Sequence, residues 1–410
     1  MKILISAVGD TDPIRNFHDG PLLHIVRVYR PEKIVLVHSE RSLTKHDKLV
    51  KALKSIKDYS PEIIQDGGVL QDAKVAIFDE MYDTVSSIVK KYISDDEIIL
   101  NISSATPQII SAMFAVNRIS DFNVTAVQVM TPQHKSNEGL RHDNQEDIDT
   151  LIETNLDNQS DYENRTLEDT GSKFSQDLTK RNLKALIDNY DYQGALELLK
   201  KQKSFSNIKE LRKKLTEISD TIKIQGMPDK IVKDKLSTQA KSALNSYLNI
   251  DRNHKQGNIA EVLIRVKSLV EFILENYLNN HFLDVITYKE DGKPFLNALK
   301  YPEILKKFQE NAKKRDQEYH SGYLSLHGYI GILKFFEPNH DLLKHIYKIQ
   351  EINQVRNQVA HSLQAFDRKN LKKVSSAVFA SKQILLASFD IDNHWFSFYE
   401  DLNQEIKKLL

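Results

Sequence analysis

The feature that most constrains this chain is an alternation confined to its first 130 residues. The runs ILISAV (3–8), KIVLVHS (33–39), AKVAIF (73–78), EIILNIS (97–103) and NVTAVQVM (123–130) are short, β-branched and nearly continuously apolar. Strands with two apolar faces belong in a sheet covered on both sides. Between them, PLLHIVRVYRP, LTKHDKLVKALKSI, YDTVSSIVKKYI and PQIISAMFAVNRI place their apolar residues at helical spacing. The alternation predicts a Rossmann-like α/β domain, a parallel sheet with helices on both faces. Ligands of such sheets bind beyond the C-terminal ends of the strands.

After about residue 141 the pattern changes. RHDNQEDIDTLIETNLDNQSDYENRTLED carries ten acidic residues against two arginines and no strand run, and reads as an acidic linker or exposed excursion over 141–173. From 174 onward the pattern is helical. Leu183, Leu186, Ile187 and Tyr190 suit one helix; Ala195, Leu196, Leu198 and Leu199 suit the next; GMPDK (226–230) is a break. Ile259, Val262, Leu263, Val266, Leu269, Val270, Ile273 and Leu274 mark a long amphipathic helix. This divides the chain into an α/β domain with its linker (1–173), an all-α connector (174–245) and an all-α domain (246–410).

Composition excludes some classes. Lys plus Arg and Asp plus Glu are both 57, so the basic surplus of a constitutive nucleic-acid binder is absent, although one local groove remains possible. There is no cysteine, hence no disulfide or thiolate metal site, and H-E-x-x-H is absent. No apolar run of membrane-spanning length is present, and MKILISAV enters a strand directly, without a signal-peptide layout. A cytoplasmic protein with no metal and no membrane association is expected.

Two strand-end loops stand out: VGDTDPI (8–14) and NISSATPQI (101–109). Pro107 suits the first position of a helix capped by Thr106. Backbone N–H groups leading into a helix N-terminus make an anion site. Ser103, Ser104, Thr106 and Gln108 add donors suited to phosphate or ribose oxygens, Asn101 and Asp12 suit a base or a hydroxyl, and His134 after the last strand is a further candidate. The plainer alternative is that Asp12 and Thr106 are caps and the rest is turn chemistry. G-x-G-x-x-G and the P-loop pattern are absent, which argues against a dinucleotide or a P-loop site.

The second candidate site is RNQVAH (356–361). With 14 His and as many Arg, chance supplies about half a match to R-x-x-x-x-H. The chain has three: Arg41–His46, Arg315–His320 and Arg356–His361. RSLTKH reads as a solvated edge and RDQEYH as the end of a charged helix. RNQVAH differs because Ile346, Ile349, Ile352, Val355, Val359, Leu363 and Phe366 form an apolar stripe, beside which Arg356, Asn357 and His361 fall in mid-helix. Asn357 and His361 share a face, and the small Ala360 leaves room for an approaching group. Histidine can move a proton at neutral pH, and arginine can clamp a phosphate as its charge grows. One helix supplies one of each, so a two-fold dimer would complete an acid–base site. An exposed helix with an Asn–His hydrogen bond is the alternative.

VGDTDP and NISSATPQ resemble the CARF sensor domain of CRISPR-associated proteins, and RNQVAH resembles the R-x(4–6)-H motif of HEPN ribonucleases. Together, in this order and over nearly the whole chain, they resemble the CARF–HEPN accessory ribonucleases of type III-A CRISPR systems, the sixth Csm protein family in its streptococcal and enterococcal form. The resemblance implies a homodimer activated by cyclic oligoadenylate, with cyclic hexa-adenylate favoured and tetra-adenylate possible. It implies metal-independent cleavage of single-stranded RNA to 2′,3′-cyclic phosphate and 5′-hydroxyl ends, in antiviral defence linked to the type III-A interference complex without stable association. It makes Arg356, Asn357 and His361 catalytic and puts Gly9, Asp10, Thr11, Asp12, Asn101, Ser103, Ser104, Ala105, Thr106 and Gln108 around the ring, where Asn101 and Thr106 could also promote ring cleavage. Relatives often carry Gly where this chain has Ala105, which narrows backbone approach. The remaining rival is a nucleotide-sensing regulator without catalysis, whose helical half binds a partner.

Overall fold

The computed structural model describes residues 1–93, 97–119, 122–132, 147–200, 207–314, 316, 318, 322–361 and 365–410. The side chains of residues 358, 360 and 361 lie outside that description. The chain forms two compact units, Met1–Asp177 and Leu178–Leu410.

The first unit is built on a six-stranded sheet: β1 (Lys2–Ala7), β2 (Lys33–Ser39), β3 (Glu62–Leu70), β4 (Glu97–Asn101), β5 (Val124–Val129) and β6 (Thr166–Glu168), ordered β3-β2-β1-β4-β5-β6. All neighbouring pairs are parallel except β5–β6, so the sheet is mixed and not wholly parallel as expected. Strand residues alternate between two cores, as the period of two requires. Ile3, Ile5, Val35, Val37, Ile98 and Leu100 face one; Leu4, Ile34, Leu36 and Ile99 face the other. The first core is closed by the helices Phe78–Tyr92 and α3 (Pro107–Ile119). The second is closed by α1 (Pro21–Tyr29) and α2 (His46–Lys54).

Two expectations are corrected. AKVAIF (73–78) is not a strand: residues 72–76 form turns, and Phe78 begins a helix. The third strand is EIIQDGGVL, an edge strand with most residues exposed or half-exposed and with Gly67 and Gly68 at positive φ. Its polar and glycine content hides it, because an edge strand need not be apolar on both faces. The acidic stretch is not a bare linker either. From 147 onward it supplies a helix (Ile148–Glu153), a 3-10 turn (Leu156–Asn158) and the antiparallel β6.

Buried charge holds this arm. Asp157 accepts from the Asp19 amide at 2.8 Å and from Arg165 Nη2 at 2.9 Å. Asp19 accepts from Arg27 Nε at 2.6 Å and from Asn155 Nδ2 at 2.7 Å. His24 Nε2 accepts the Arg165 amide at 3.0 Å, which leaves the ring proton on Nδ1, facing both carboxylates. Burial alone would raise both carboxyls. Hydrogen bonds from His24 and Arg27 hold Asp19 below its ordinary range, and those from His24 and the Asp19 amide, with the Arg165 charge, hold Asp157 well below it.

The second unit is helical apart from one short antiparallel hairpin, Ile286–Tyr288 with Pro294–Leu296, so it is not wholly α as expected; one continuous core runs from Leu183 to Ile406. Its elements include α4 (Ile208–Lys223), α5 (Thr238–Lys255), α6 (Ile259–His281), α7 (Leu342–Gln350), α8 (Asn353–His361), α9 (Leu371–Ser388) and α10 (Phe398–Lys407). The expected long amphipathic helix is α6, which buries Val262, Leu263, Val266, Leu269, Val270, Ile273 and Leu274.

A depressed carboxyl pKa contributes stability that is present above the unfolded value and lost as pH falls through the folded one. Asp157→Asn should therefore destabilise the first unit by about 3 kcal/mol at neutral pH and by progressively less below about pH 4. Urea unfolding followed across that range checks it; an undiminished effect at low pH contradicts it.

Candidate sensor loops and ribonuclease helix

The strand order reverses between β1 and β4, and the loops after these two strands therefore flank the crevice where such sheets bind ligands. Asp12 ties them together. Its carboxylate is 1% exposed and accepts from the Gly9 amide at 2.9 Å, the Leu22 amide at 3.0 Å and Ser104 Oγ at 2.7 Å. Burial pushes this carboxyl up from its ordinary value, against the three donors and the Lys45 charge. A Cβ on Gly9 would lie 2.8 Å from the Ala105 amide nitrogen, so the two loops approach as only glycine permits.

Several candidate residues shape the site from beneath. Asn101 is fully buried; its Nδ2 donates to Ser6 Oγ at 2.9 Å and its Oδ1 accepts the Ser103 amide at 2.9 Å. Ser103 Oγ accepts the Val129 amide at 2.8 Å. Thr106 caps α3, accepting the Ile109 amide at 3.4 Å while donating to the Val75 carbonyl at 3.0 Å, so the expected cap and Pro107 start are found. Gly9, Asp12, Asn101 and Ser104 are thus buried, whereas Asp10, Thr11, Ser103, Ala105, Thr106 and Gln108 keep accessible surface. His134 lies outside the described residues.

The segment RSLTKH, read from sequence as a solvated edge, belongs to this site. Lys45 Nζ donates to the Asp10 carbonyl at 3.0 Å and the Gly9 carbonyl at 3.3 Å, and Arg41 reaches the Asp10 carboxylate at 3.2 Å. Both cations follow the end of β2, beside β1, so they join the crevice through a third strand-end loop. The signal was present in KIVLVHS followed by ERSLTK, a strand exit carrying two cations. Next to them, His38 is fully buried, with Nε2 3.0 Å from His46 Nδ1. Burial and the neighbouring His46 bring His38 down to about 4. The carboxylate–histidine cluster of Asp19, His24 and Asp157 has metal-ligand spacing, but two guanidinium groups occupy its oxygens, so it is an ion-pair network and not a cation cradle.

Arg356 and Asn357 lie in mid-helix as expected, fourth and fifth of the nine residues of α8, whereas His361 is its last residue. The apolar stripe runs on through Ile346, Ile349, Ile352 and Val355, but the helix carrying it is interrupted by a turn at residues 351 and 352, which separates α8 from α7. Ile352 and Val355 are buried and Val359 packs on the core, which seats α8 against α6. Arg356 Nη1 donates to Asn357 Oδ1 at 3.2 Å, its Nε is buried without an acceptor among the described residues, and Asn357 is exposed. His361 ends α8, with its side chain outside the description; Arg315, His320 and Leu363 are also outside it.

An α/β domain with ligand-type strand-end loops, joined to a helical unit bearing R-x-x-x-x-H, defines the CARF–HEPN class. Three family models match: the CARF domain of Csm6 over residues 62–166, the 6H domain of CRISPR-associated Csm6 over 171–218, and its HEPN domain over 231–407. Two proteins of Streptococcus thermophilus, CRISPR system endoribonucleases Csm6′ and Csm6, are each 40% identical, covering 98% and 100% of both chains. A solved structure, Enterococcus italicus Csm6 bound to cyclic hexa-2′-fluoro-hexa-dAMP, is 31% identical over the full length of both chains with a TM-score of 0.72. The chain belongs to the Csm6 family of CRISPR-associated proteins.

Two outcomes follow. Ala105 holds φ +103°, a region that favours glycine, so Ala105→Gly should stabilise the first unit by about 1 kcal/mol; a loss of stability in thermal unfolding contradicts the strain. A histidine whose folded pKa is depressed binds its proton only in the unfolded chain, so stability should rise with pH from about 4 to the unfolded value near 6.5. His38→Asn should flatten that rise, which melting curves at several pH values will show.

Proposed function

We propose that this chain is a CRISPR-system endoribonuclease switched on by a cyclic oligoadenylate that binds the strand-end loops of its Rossmann-like CARF domain. The observation that carries the reading is the Arg356–Asn357 pair on α8, five and four residues before His361, within the residues matched by the HEPN model. His361 moves the proton of the RNA 2′-hydroxyl or of the leaving 5′-oxygen. Arg356 steadies the charge growing on the phosphate, and its unpaired buried Nε leaves hydrogen-bonding capacity for that task. Asn357 orients the Arg356 fork. The 2′-hydroxyl as nucleophile gives 2′,3′-cyclic phosphate and 5′-hydroxyl ends without a metal. One chain offers one Arg356 and one His361, so the active form is a homodimer pairing two such helices; the exposed Phe379 and Leu371 on α9 give a second copy apolar surface to cover.

The activator is favoured as cyclic hexa-adenylate, the ring whose fluorinated deoxy analogue occupies the Enterococcus italicus structure, ahead of tetra-adenylate. Asp10, Thr11, Ser103, Ala105, Thr106 and Gln108 contact it, while Gly9, Asp12, Asn101 and Ser104 hold the loops in place. Lys45 and Arg41 meet its phosphates. If the ring is also cleaved in the CARF domain, Thr106 is the residue with surface to act, and fully buried Asn101 supports it through the loop. The connector over 174–245 carries the signal between the domains. Among the described residues no helix is long and apolar enough to cross a membrane.

The test is fluorogenic RNA cleavage in EDTA with cyclic tri-, tetra- and hexa-adenylate added separately. Cleavage with hexa-adenylate alone, lost by at least a hundredfold in His361→Ala, is expected; equal cleavage by His361→Ala removes RNQVAH as the catalytic site, and no cleavage with any ring assigns the chain to a non-catalytic regulator. Lys45→Ala should raise the half-activating ring concentration about tenfold, the loss of one phosphate contact of about 1.4 kcal/mol.

A further inference from the structure

The helical unit holds a polar groove that the ribonuclease reading does not use. Along α5, Ser242, Asn245, Ser246, Asn249, Arg252 and Asn253 follow one another at steps that keep them on one face. The stripe extends over roughly 16 Å of helix. Two adjoining cavities of about 270 and 370 Å³ lie against it and share Gln225, Asn249 and Arg265.

Arg252 is the unusual member. It is only 8% exposed, and its Nε and Nη1 meet no acceptor among the described residues. Its neighbours are Tyr399, which it hydrogen-bonds and whose ring lies 5.5 Å away, Tyr192 and a second cation, Arg265; among the described residues no carboxylate pairs with it. Buried charges are ordinarily paired. A guanidinium buried with free N–H groups beside a cavity is a counter-ion site for an anion. The surroundings agree. Arg265 and Lys223 add two cations to the lining, against the single carboxylate Glu261, which already pairs with Arg265. The asparagines are braced against the chain, Asn249 Nδ2 on the Asn245 carbonyl at 3.0 Å and Asn253 Nδ2 on the Asn249 carbonyl at 2.8 Å, so the face is preorganised. Apolar lining is confined to Ile222 and Met227. A drug-like or apolar peptide ligand prefers a mostly apolar pocket, whereas an elongated amide- and guanidinium-lined groove suits a phosphate-bearing strand.

We propose that this groove is a second nucleic-acid contact of the protein, in which Arg252 anchors a backbone phosphate of single-stranded RNA and Arg265 and Lys223 hold the strand at the rim. The source of the strand rests on the endoribonuclease reading, but the binding does not require the assigned catalytic residues.

The test uses the full chain and a short, labelled 2′-O-methyl oligouridylate, which lacks a 2′-hydroxyl nucleophile and is not an adenylate. Fluorescence anisotropy over a salt series compares the wild type with Arg252→Gln, with the rim variant Lys223→Glu/Arg265→Glu, and with His361→Ala, each checked for folding by its melting temperature. Arg252→Gln should weaken binding about tenfold and lower the slope of log affinity against log salt by about one, the rim variant by about two, at retained melting temperature. His361→Ala should keep the groove's share of affinity, so a failed catalytic assignment and a failed groove give different patterns. Rim-variant affinity within twofold of wild type, with an unchanged salt slope, overturns the proposal, even where Arg252→Gln binds weakly because it is less stable. A rise in melting temperature with inorganic phosphate, lost in Arg252→Gln while oligouridylate affinity is unchanged, also overturns it in favour of a free-phosphate site.

Discussion

The sensor end of the molecule depends on one buried carboxylate. Asp12 takes hydrogen bonds from its own loop, from the start of α1 and from the loop after β4. Three donors from three places cannot be satisfied by water in that position, because the group is 1% exposed. Removing the acceptor would leave N–H groups unpaired at a cost of about 1–3 kcal/mol each. The same approach demands glycine at position 9 and puts Ala105 at a φ of +103°. The crevice between the reversed strands is therefore a fixed shape rather than a loose pair of loops. Its accessible side chains and the Lys45 and Arg41 cations are presented on that frame.

Much of this was legible in the sequence, and each failure has a physical cause. β2, β4 and β5 sit inside the apolar runs that announced them, β1 overlaps its run from one residue earlier, and α3 begins at the Thr106–Pro107 signal. Runs buried on both faces leave a strong local pattern. The edge strand β3 does not, since EIIQDGGVL is half solvated and broken by glycines. The acidic arm misled for another reason. Its carboxylates Asp157 and, across the sheet connection, Asp19 are buried by pairing with Arg165 and Arg27, and sequence shows charge but not partners. Lys45 was missed in the same way: its carbonyl acceptors lie 35 and 36 residues earlier in the chain. At the other end, R-x-x-x-x-H was found, but the stripe around it concealed the break at 351–352 that makes α8 a separate short helix.

That break bears on how the two proposed sites are coupled. A short helix seated by Ile352, Val355 and Val359, and separated from α7, can shift as a unit more easily than a segment of a long helix. Coupling between the proposed ring site at the sheet and the proposed phosphate site at Arg356 needs an element with two arrangements, which both sites bias. α8 is suited to be that element on the nuclease side, and the Asp12-tied loops are the fixed frame on the sensor side.

The most direct measurement is the RNA cleavage rate of Asp12→Asn against cyclic hexa-adenylate concentration, compared with the wild type. An asparagine there offers one acceptor oxygen in place of two and turns an NH2 group toward an N–H donor, so the loops lose their tie while the nuclease unit is untouched. The expected result is a half-activating concentration raised tenfold or more, with the rate at saturating ring unchanged. A superimposable activation curve, or a reduced saturating rate at the same midpoint, would contradict the assignment of these loops as the sensor.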